Sequence, residues 1–219
     1  MRSRPAYCPS SKPLLKARPH AVLSVDTYKS ETARAAIAAG AEIVNDPSGL
    51  AWTTDIASVC AETGAGLILS HTRGRPDEWL SQSQLESDAL LALVRDGLSH
   101  SLSAAAQAGV NPESIVLDPG YGFGKRLDEN YALLARQSEL LSLGRPLLAG
   151  LSRKSFLGQT LAQLYSGQPA PVDARENASL AALTAAILNG ASIVRVHSVR
   201  ASLEAARIAD AIRAAASIR

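Results

Sequence analysis

Aromatic residues are scarce in this 219-residue chain: Phe, Trp and Tyr make up 4% of it, against 47% hydrophobic residues overall. A core so poor in rings is built from Ala, Leu, Ile and Val, a mix that suits helices wrapped around a parallel sheet. Charge bias is missing as well, with 22 basic and 20 acidic residues giving a net +2. Nothing in that balance supports a nucleic-acid partner. Cysteine is limited to Cys8 and Cys60, with no CxxC or other metal spacing near either, which fits a reduced, cytoplasmic setting. No apolar run approaches the ~18 to 20 residues of a membrane span, and there is no apolar signal-peptide core, so a soluble protein with no membrane partner is expected. Familiar catalytic signatures are absent too: the sequence has no GxSxG elbow, no HxH or HExxH zinc pattern, and no GxGxxG after its first strand.

What is present is one unit used repeatedly from Ala21 onward: a short β-rich run, a polar terminus, then an Ala- and Leu-rich helix. The spacing predicts strands over residues 21–25, 42–44, 66–70, 114–117, 146–149 and 192–196, with helix stops at Gly40, Gly64, Gly109, Gly144 and Gly190. Alternation of this kind means a parallel sheet. One domain is expected, preceded by a basic leader in which Arg2, Arg4, Lys12, Lys16 and Arg18 meet no acid. Pro5, Pro9 and Pro13 argue against the amphipathic helix of a transit peptide there.

A doubly wound open sheet and a TIM-type (β/α)8 barrel both fit such alternation, and the strand ends separate them. An open sheet gathers its functional groups at one switch point, whereas a barrel brings every strand terminus to one mouth. Here each unit ends in polar groups: Asp26, Asn45 with Asp46, His71, Asp118, Ser152 to Ser155, and Arg195 with His197. That distribution favours the barrel. About six βα units are counted where closure takes eight, and a typical barrel of this kind takes ~250 residues, so an incomplete barrel is expected.

Two stretches carry the most chemistry. In LDPGYGFGK, residues 117–125, Asp118 leaves a strand where Pro119 and Gly120 break the ladder, and Gly122 and Gly124 let backbone approach a ligand. A carboxylate there accepts two N–H donors from a flat heterocycle; capping the next helix and a glycine-rich phosphate loop are the competing readings. In GLSRKSFLG, residues 150–158, two cations and two hydroxyls meet in one loop. Lys154 suits a heterocycle carbonyl or ring nitrogen and Ser155 an adjacent substrate, against a plain solvated basic turn. Along ASIVRVHSV, residues 191–199, alternation points Arg195 and His197 one way and Val194 and Val196 the other. A guanidinium and an imidazole on one face suit an anionic leaving group such as phosphate, and the alternative is a buried structural Arg paired with a carboxylate. Asp26 and Asn45, taken alone, read equally well as helix N-caps. His71 either lines the mouth or orients a loop.

Four segments in order and register, SVDTYKSETARAAIAAGAEIVND, LDPGYGFGK, GLSRKSFLG and RVHSV, resemble the dihydropteroate synthase family, the folate-pathway targets of sulfonamide drugs. The resemblance runs from about Pro13 to the C-terminus. It implies a barrel that joins 6-hydroxymethyl-7,8-dihydropterin diphosphate to p-aminobenzoate, giving dihydropteroate and pyrophosphate. By motif, Asp26, Asn45, Asp118 and Lys154 are expected to hydrogen-bond the pterin, Arg195 to stack on it, Arg195 and His197 to hold the diphosphate, and Ser155 to lie near p-aminobenzoate. Lys154, Arg195 and His197 are the catalytic candidates. The resemblance also implies Mg2+ as cofactor and a homodimer.

Departures from the family pattern are equally specific. The loops of the form NxTPDSFSDGG and GGESTRPG, the first of which supplies the asparagine beside Mg2+, are not found, so no metal ligand is expected among these residues. Residues 1–20 are expected to be a leader and the remnant of a second helix, followed by the pterin-binding barrel domain over 21–219. Ser198 stands where the family usually has Asp, so a contact behind His197 is expected to differ. An inactive, truncated pterin-binding remnant and a pterin-binding, corrinoid-dependent methyltransferase are the alternative functions, and the SRKS loop and RVH strand end favour the synthase.

Overall fold

The computed structural model describes Leu14 and residues 16–216. Most of the expected leader, with Cys8, lies outside the described residues. The backbone falls into two compact units, one made of the chain up to His71 together with Gly97–Leu117, the other of Thr72–Asp96 and Asp118–Arg219.

In the first unit, β1 (Ser24–Asp26), α1 (Ser30–Ala38), β2 (Ile43–Asp46), α2 (Asp55–Thr63) and β3 (Gly66–Ser70) follow the expected alternation. Each strand lies within a few residues of its place in the sequence pattern. β1, β2, β3 and β4 (Ile115–Asp118) are neighbours in that order. The first pairs are parallel, with Asp26 opposite Asn45 and Asn45 opposite Ile68. Parallel strands covered by helices bury both faces, and Val44, Leu67, Leu69, Ile115 and Leu117 of the strands are buried, as are Ala33, Ile56 and Val59 of α1 and α2. The long helix α3 (Ser87–Gln107) adds Leu98 and Ala105 to this core. Ser101 of α3 donates its hydroxyl to the Gly49 carbonyl at 2.6 Å, which ties the loop after β2 to the helix.

The second unit holds α4 (Leu127–Ala135), β5 (Leu147–Ala149), α5 (Ser155–Thr160), α6 (Glu176–Leu188), β6 (Ala191–Val194) and α7 (Val199–Ala216). β5 and β6 pair in parallel, and the Arg195 N–H donates to the Ala149 carbonyl at 3.1 Å, carrying the ladder one residue past β6. Val194 and Val196 pack on Leu183, Ile187 and Ala209, so the alternation expected around Arg195 and His197 holds. Gln137, fully buried, donates to the Ala186 and Asn189 carbonyls and accepts from the Tyr121 hydroxyl at 2.7 Å. That network fixes the start of the 119–126 loop against α6. The six βα units are those of an incomplete (β/α)8 barrel.

Candidate active site

Asp118 ends β4 with its side chain 3% exposed. Its Oδ1 accepts the Gly120 N–H at 2.7 Å, a turn made possible by Pro119 and Gly120. Burial raises its pKa above the usual carboxylate range, opposed by that N–H and by the charges of Arg195, Lys154 and Lys125. A buried carboxylate with basic groups around it can accept hydrogen bonds from N–H donors. Gly150 lies between two of these partners: a Cβ there would stand 3.5 Å from the Arg195 guanidinium and 3.8 Å from Asp118 Oδ2. Asp118 does not cap α4, whose N-cap residue is Arg126.

The loop after Asp118 is tied down by its own residues. Asn130 of α4 accepts the Gly122 N–H at 2.7 Å and donates to the Lys125 and Arg126 carbonyls. Lys125 turns inward, 7% exposed, and donates to the Gly120 carbonyl at 2.8 Å. Burial depresses its ammonium to about 7, with Asp118 and Glu129 opposing the fall and Arg73 and Lys154 adding to it. Sequence reading did not assign Lys125 or Asn130 a role. Their only signal was position, at the end of the glycine-rich loop and in the first turn of the next helix.

Lys154 is the N-cap residue of α5, and Ser155 opens that helix. The Lys154 ammonium sits 4.2 Å from the centroid of the Phe123 ring, and its side chain runs beside Gly122. Lys154, Ser155, Phe123, Lys125 and Trp79 line one cleft of about 580 Å³. The backbone of the SRKS loop is held from α6 and the residue before it: the Arg153 N–H donates to Ser179 Oγ at 2.9 Å, and Arg175 donates to the Arg153 carbonyl at 3.0 Å. A loop so anchored is not a solvated basic turn.

Arg195 is exposed, which rules out the buried structural role. His197 is exposed as well, with Nδ1 2.9 Å from Ser152 Oγ. Ser152 also accepts the His197 backbone N–H at 3.3 Å. The ring of His197 is therefore oriented by a serine from the GLSRKS loop.

In the first unit, Asn45 is 3% exposed, and its amide oxygen and nitrogen are both buried with no hydrogen-bond partner. Buried polar atoms left this way cost stability unless a ligand completes them. Asp26, exposed at the end of β1, is the register partner of Asn45, and the Thr27 N–H donates to the Asn45 carbonyl at 3.0 Å. Neither residue is a helix cap: Lys29 and Thr54 take those positions. Asp46 beside them is a turn former, accepting from the Ser48 N–H, the Ser48 hydroxyl and the Leu50 N–H at 2.7 to 2.8 Å. Burial raises the Asp46 pKa against those hydrogen bonds, and the Asp26 charge adds to the rise. His71 is buried against α3, where a Cβ on Gly97 would lie 2.7 Å from its ring. That close approach makes it a residue packed onto the helix.

A buried acid, a glycine-opened loop and basic residues stand at the strand ends of a βα fold. The family model for pterin binding enzymes matches residues 11–197. A dihydropteroate synthase of Synechocystis is 42% identical over 190 residues, covering 87% of this chain and 63% of that protein. The Coxiella burnetii dihydropteroate synthase in complex with pteroic acid superposes with a TM-score of 0.83 at 31% identity, over 92% of this chain and 72% of that one. The Yersinia pestis dihydropteroate synthase with a sulfonamide drug gives a TM-score of 0.83 at 36% identity, over 92% and 70%. The chain belongs to the pterin-binding enzymes and, among them, to the dihydropteroate synthase family. It spans 63 to 66% of the length of three curated relatives.

Proposed function

We propose that this chain serves dihydropteroate synthesis, a transfer in folate biosynthesis in which the arylamine of p-aminobenzoate displaces pyrophosphate from 6-hydroxymethyl-7,8-dihydropterin diphosphate. The observation that carries the reading is Asp118, a buried carboxylate facing Arg195, Lys154 and Lys125 at a glycine-opened loop. In this proposal Asp118 accepts the N–H edge of the pterin, Lys154 donates to its carbonyl or ring nitrogen, and Arg195 stacks on it. Asp26 and the unpartnered Asn45 amide supply further pterin contacts, Arg195 and His197 hold the diphosphate, and Ser155 lies by p-aminobenzoate.

The chemistry asks for no protein nucleophile. The C–O bond to the diphosphate breaks with its electron pair leaving on pyrophosphate, the arylamine nitrogen forms the new C–N bond, and that nitrogen then loses a proton. Charge develops on both fragments, so fixed cations beside the leaving group and a fixed acceptor on the pterin lower the barrier by electrostatic positioning.

Mg2+, a homodimer and a cytoplasmic location complete the proposal. Among the described residues no group of three or more His, Cys, Asp and Glu side chains gathers that could hold a metal, and Mg2+ is commonly held by only one or two carboxylates together with substrate phosphates. No described helix is long and apolar enough to cross a membrane. The test is direct: purified chain, pterin diphosphate, p-aminobenzoate and Mg2+, with dihydropteroate followed by chromatography and pterin affinity by calorimetry. Pterin binding that disappears in Asp118→Asn supports the reading, and no measurable affinity in the wild-type chain refutes it.

A further inference from the structure

Residues 72–86 form a segment to which the proposed function gives no task, yet they reach the Lys154 cleft. Trp79 stacks on Phe123 with centroids 4.9 Å apart and planes 13° from parallel. Its indole N–H donates to Thr72 Oγ1 at 3.1 Å, which sets the ring's orientation. The backbone is locked at the same place, because the Arg73 N–H donates to the Phe123 carbonyl at 3.3 Å. Gly124 makes the approach possible: at φ +70 it has no side chain where a Cβ would lie 2.7 Å from the Arg73 Cβ and carbonyl and 3.1 Å from Trp79 Cδ1. Phe123 in turn carries the Lys154 ammonium 4.2 Å from its centroid.

We propose that Trp79 is a positioning residue for Lys154: stacking fixes the Phe123 ring, and the fixed ring holds the ammonium where it meets the ligand. The inference rests on the pterin role proposed for Lys154. A lysine side chain has a large rotamer entropy to lose on binding, and a ring that does not turn removes part of that loss beforehand. A cation on an aromatic face is also attracted to it by the ring quadrupole. Trp79 lines the same cleft, but its effect on Lys154 is proposed to pass through Phe123, so an aromatic ring at position 79 preserves that effect and an aliphatic side chain of similar bulk does not.

The experiment uses competitive acetylation of the whole chain by acetic anhydride, with each lysine quantified by mass spectrometry, in wild type, Trp79→Phe and Trp79→Leu. Exposed Lys29 is the reference and buried Lys125 reports on folding. Lys154 is expected to label about 2- to 5-fold faster in Trp79→Leu, with Lys125 unchanged and Trp79→Phe close to wild type. An unchanged Lys154 rate in Trp79→Leu overturns the proposal. A parallel rise at Lys125 also overturns it, since Trp79 then serves the fold and not one side chain.

A second arm measures 6-hydroxymethylpterin affinity in the same proteins. Weaker binding in Trp79→Leu with recovery in Trp79→Phe supports the proposal, and equal affinity in all three overturns it. Should the wild-type chain bind no pterin while the labelling pattern holds, the pterin reading fails and the positioning of Lys154 by Trp79 stands.

Discussion

Arg73 and Glu129, 56 residues apart in the chain, meet as a buried ion pair with Nη1 and Oε1 2.9 Å apart and side chains 7% and 1% exposed. Glu129 also accepts the N–H groups of Leu85 and Arg126, and Arg73 donates to the Ser83 carbonyl. One carboxylate thus caps α4 and pins the 72–86 segment to it. Removing one member of such a pair leaves an uncompensated buried charge, a loss of about 3 to 5 kcal/mol. Urea denaturation of Arg73→Met is expected to register a loss of that size. The double variant Arg73→Met/Glu129→Gln is expected to be less destabilised than the sum of the singles, because the second change removes the stranded charge. Additive losses would contradict the pairing.

Asn45 gives a prediction of opposite sign for stability and binding. Its two amide atoms are buried without partners, so replacing them with carbon removes a desolvation cost of about 1 to 3 kcal/mol. Asn45→Leu is expected to unfold at higher urea than wild type while pterin affinity falls at least tenfold. A variant that loses stability, or that keeps its affinity, would show that the amide is satisfied in the fold and idle in the site.

Much of this arrangement is readable in the sequence, for definite reasons. A strand's end is marked by local events, a β-branched run stopping at Asp-Pro-Gly or at Asn-Asp-Pro, so Asp118, Asn45 and the two glycine-bearing loops stand out without coordinates. Period-two alternation likewise sends Val194 and Val196 to the core and leaves Arg195 and His197 exposed. Partnerships over long separations leave no such mark. Nothing near Arg73 names Glu129, and nothing in LSHTRGRPDEWLSQ places an indole against Phe123. The inward turn of Lys125 is hidden for another reason: lysine is nearly always solvated, and only the converging carbonyls of Gly120 and Phe123 make burial tolerable here.

Arg195 and Lys154 separate binding from folding. Arg195 is exposed and Lys154 is half-buried at a helix start, so truncating either removes little core packing. Arg195→Ala and Lys154→Ala are each expected to shift the thermal midpoint by only a few degrees, as surface substitutions do. Pterin affinity is expected to fall at least tenfold in each, since each removes a contact that the proposed function assigns to the pterin. Calorimetry with 6-hydroxymethylpterin and a thermal melt on the same samples decide it: wild-type affinity in either variant would remove that residue from the proposed site.

Lys125 makes the stability of the fold depend on pH. Its ammonium is depressed from 10.5 to about 7 in the folded chain, so between those values the unfolded chain binds more protons than the folded one. The slope of unfolding free energy with pH is then positive, and this residue's contribution rises from pH 7 to pH 10 and is lost as pH falls toward 7. The wild-type urea midpoint is expected to climb over that interval, while in Lys125→Met, which cannot titrate, the climb from this source is absent. The methionine variant also forfeits the bond to the Gly120 carbonyl, so its midpoint at pH 10 is expected to lie below wild type. Equal slopes in the two proteins would mean that Lys125 is charged and solvated in the folded chain, and that Asp118 faces one more permanent cation than the buried amine provides.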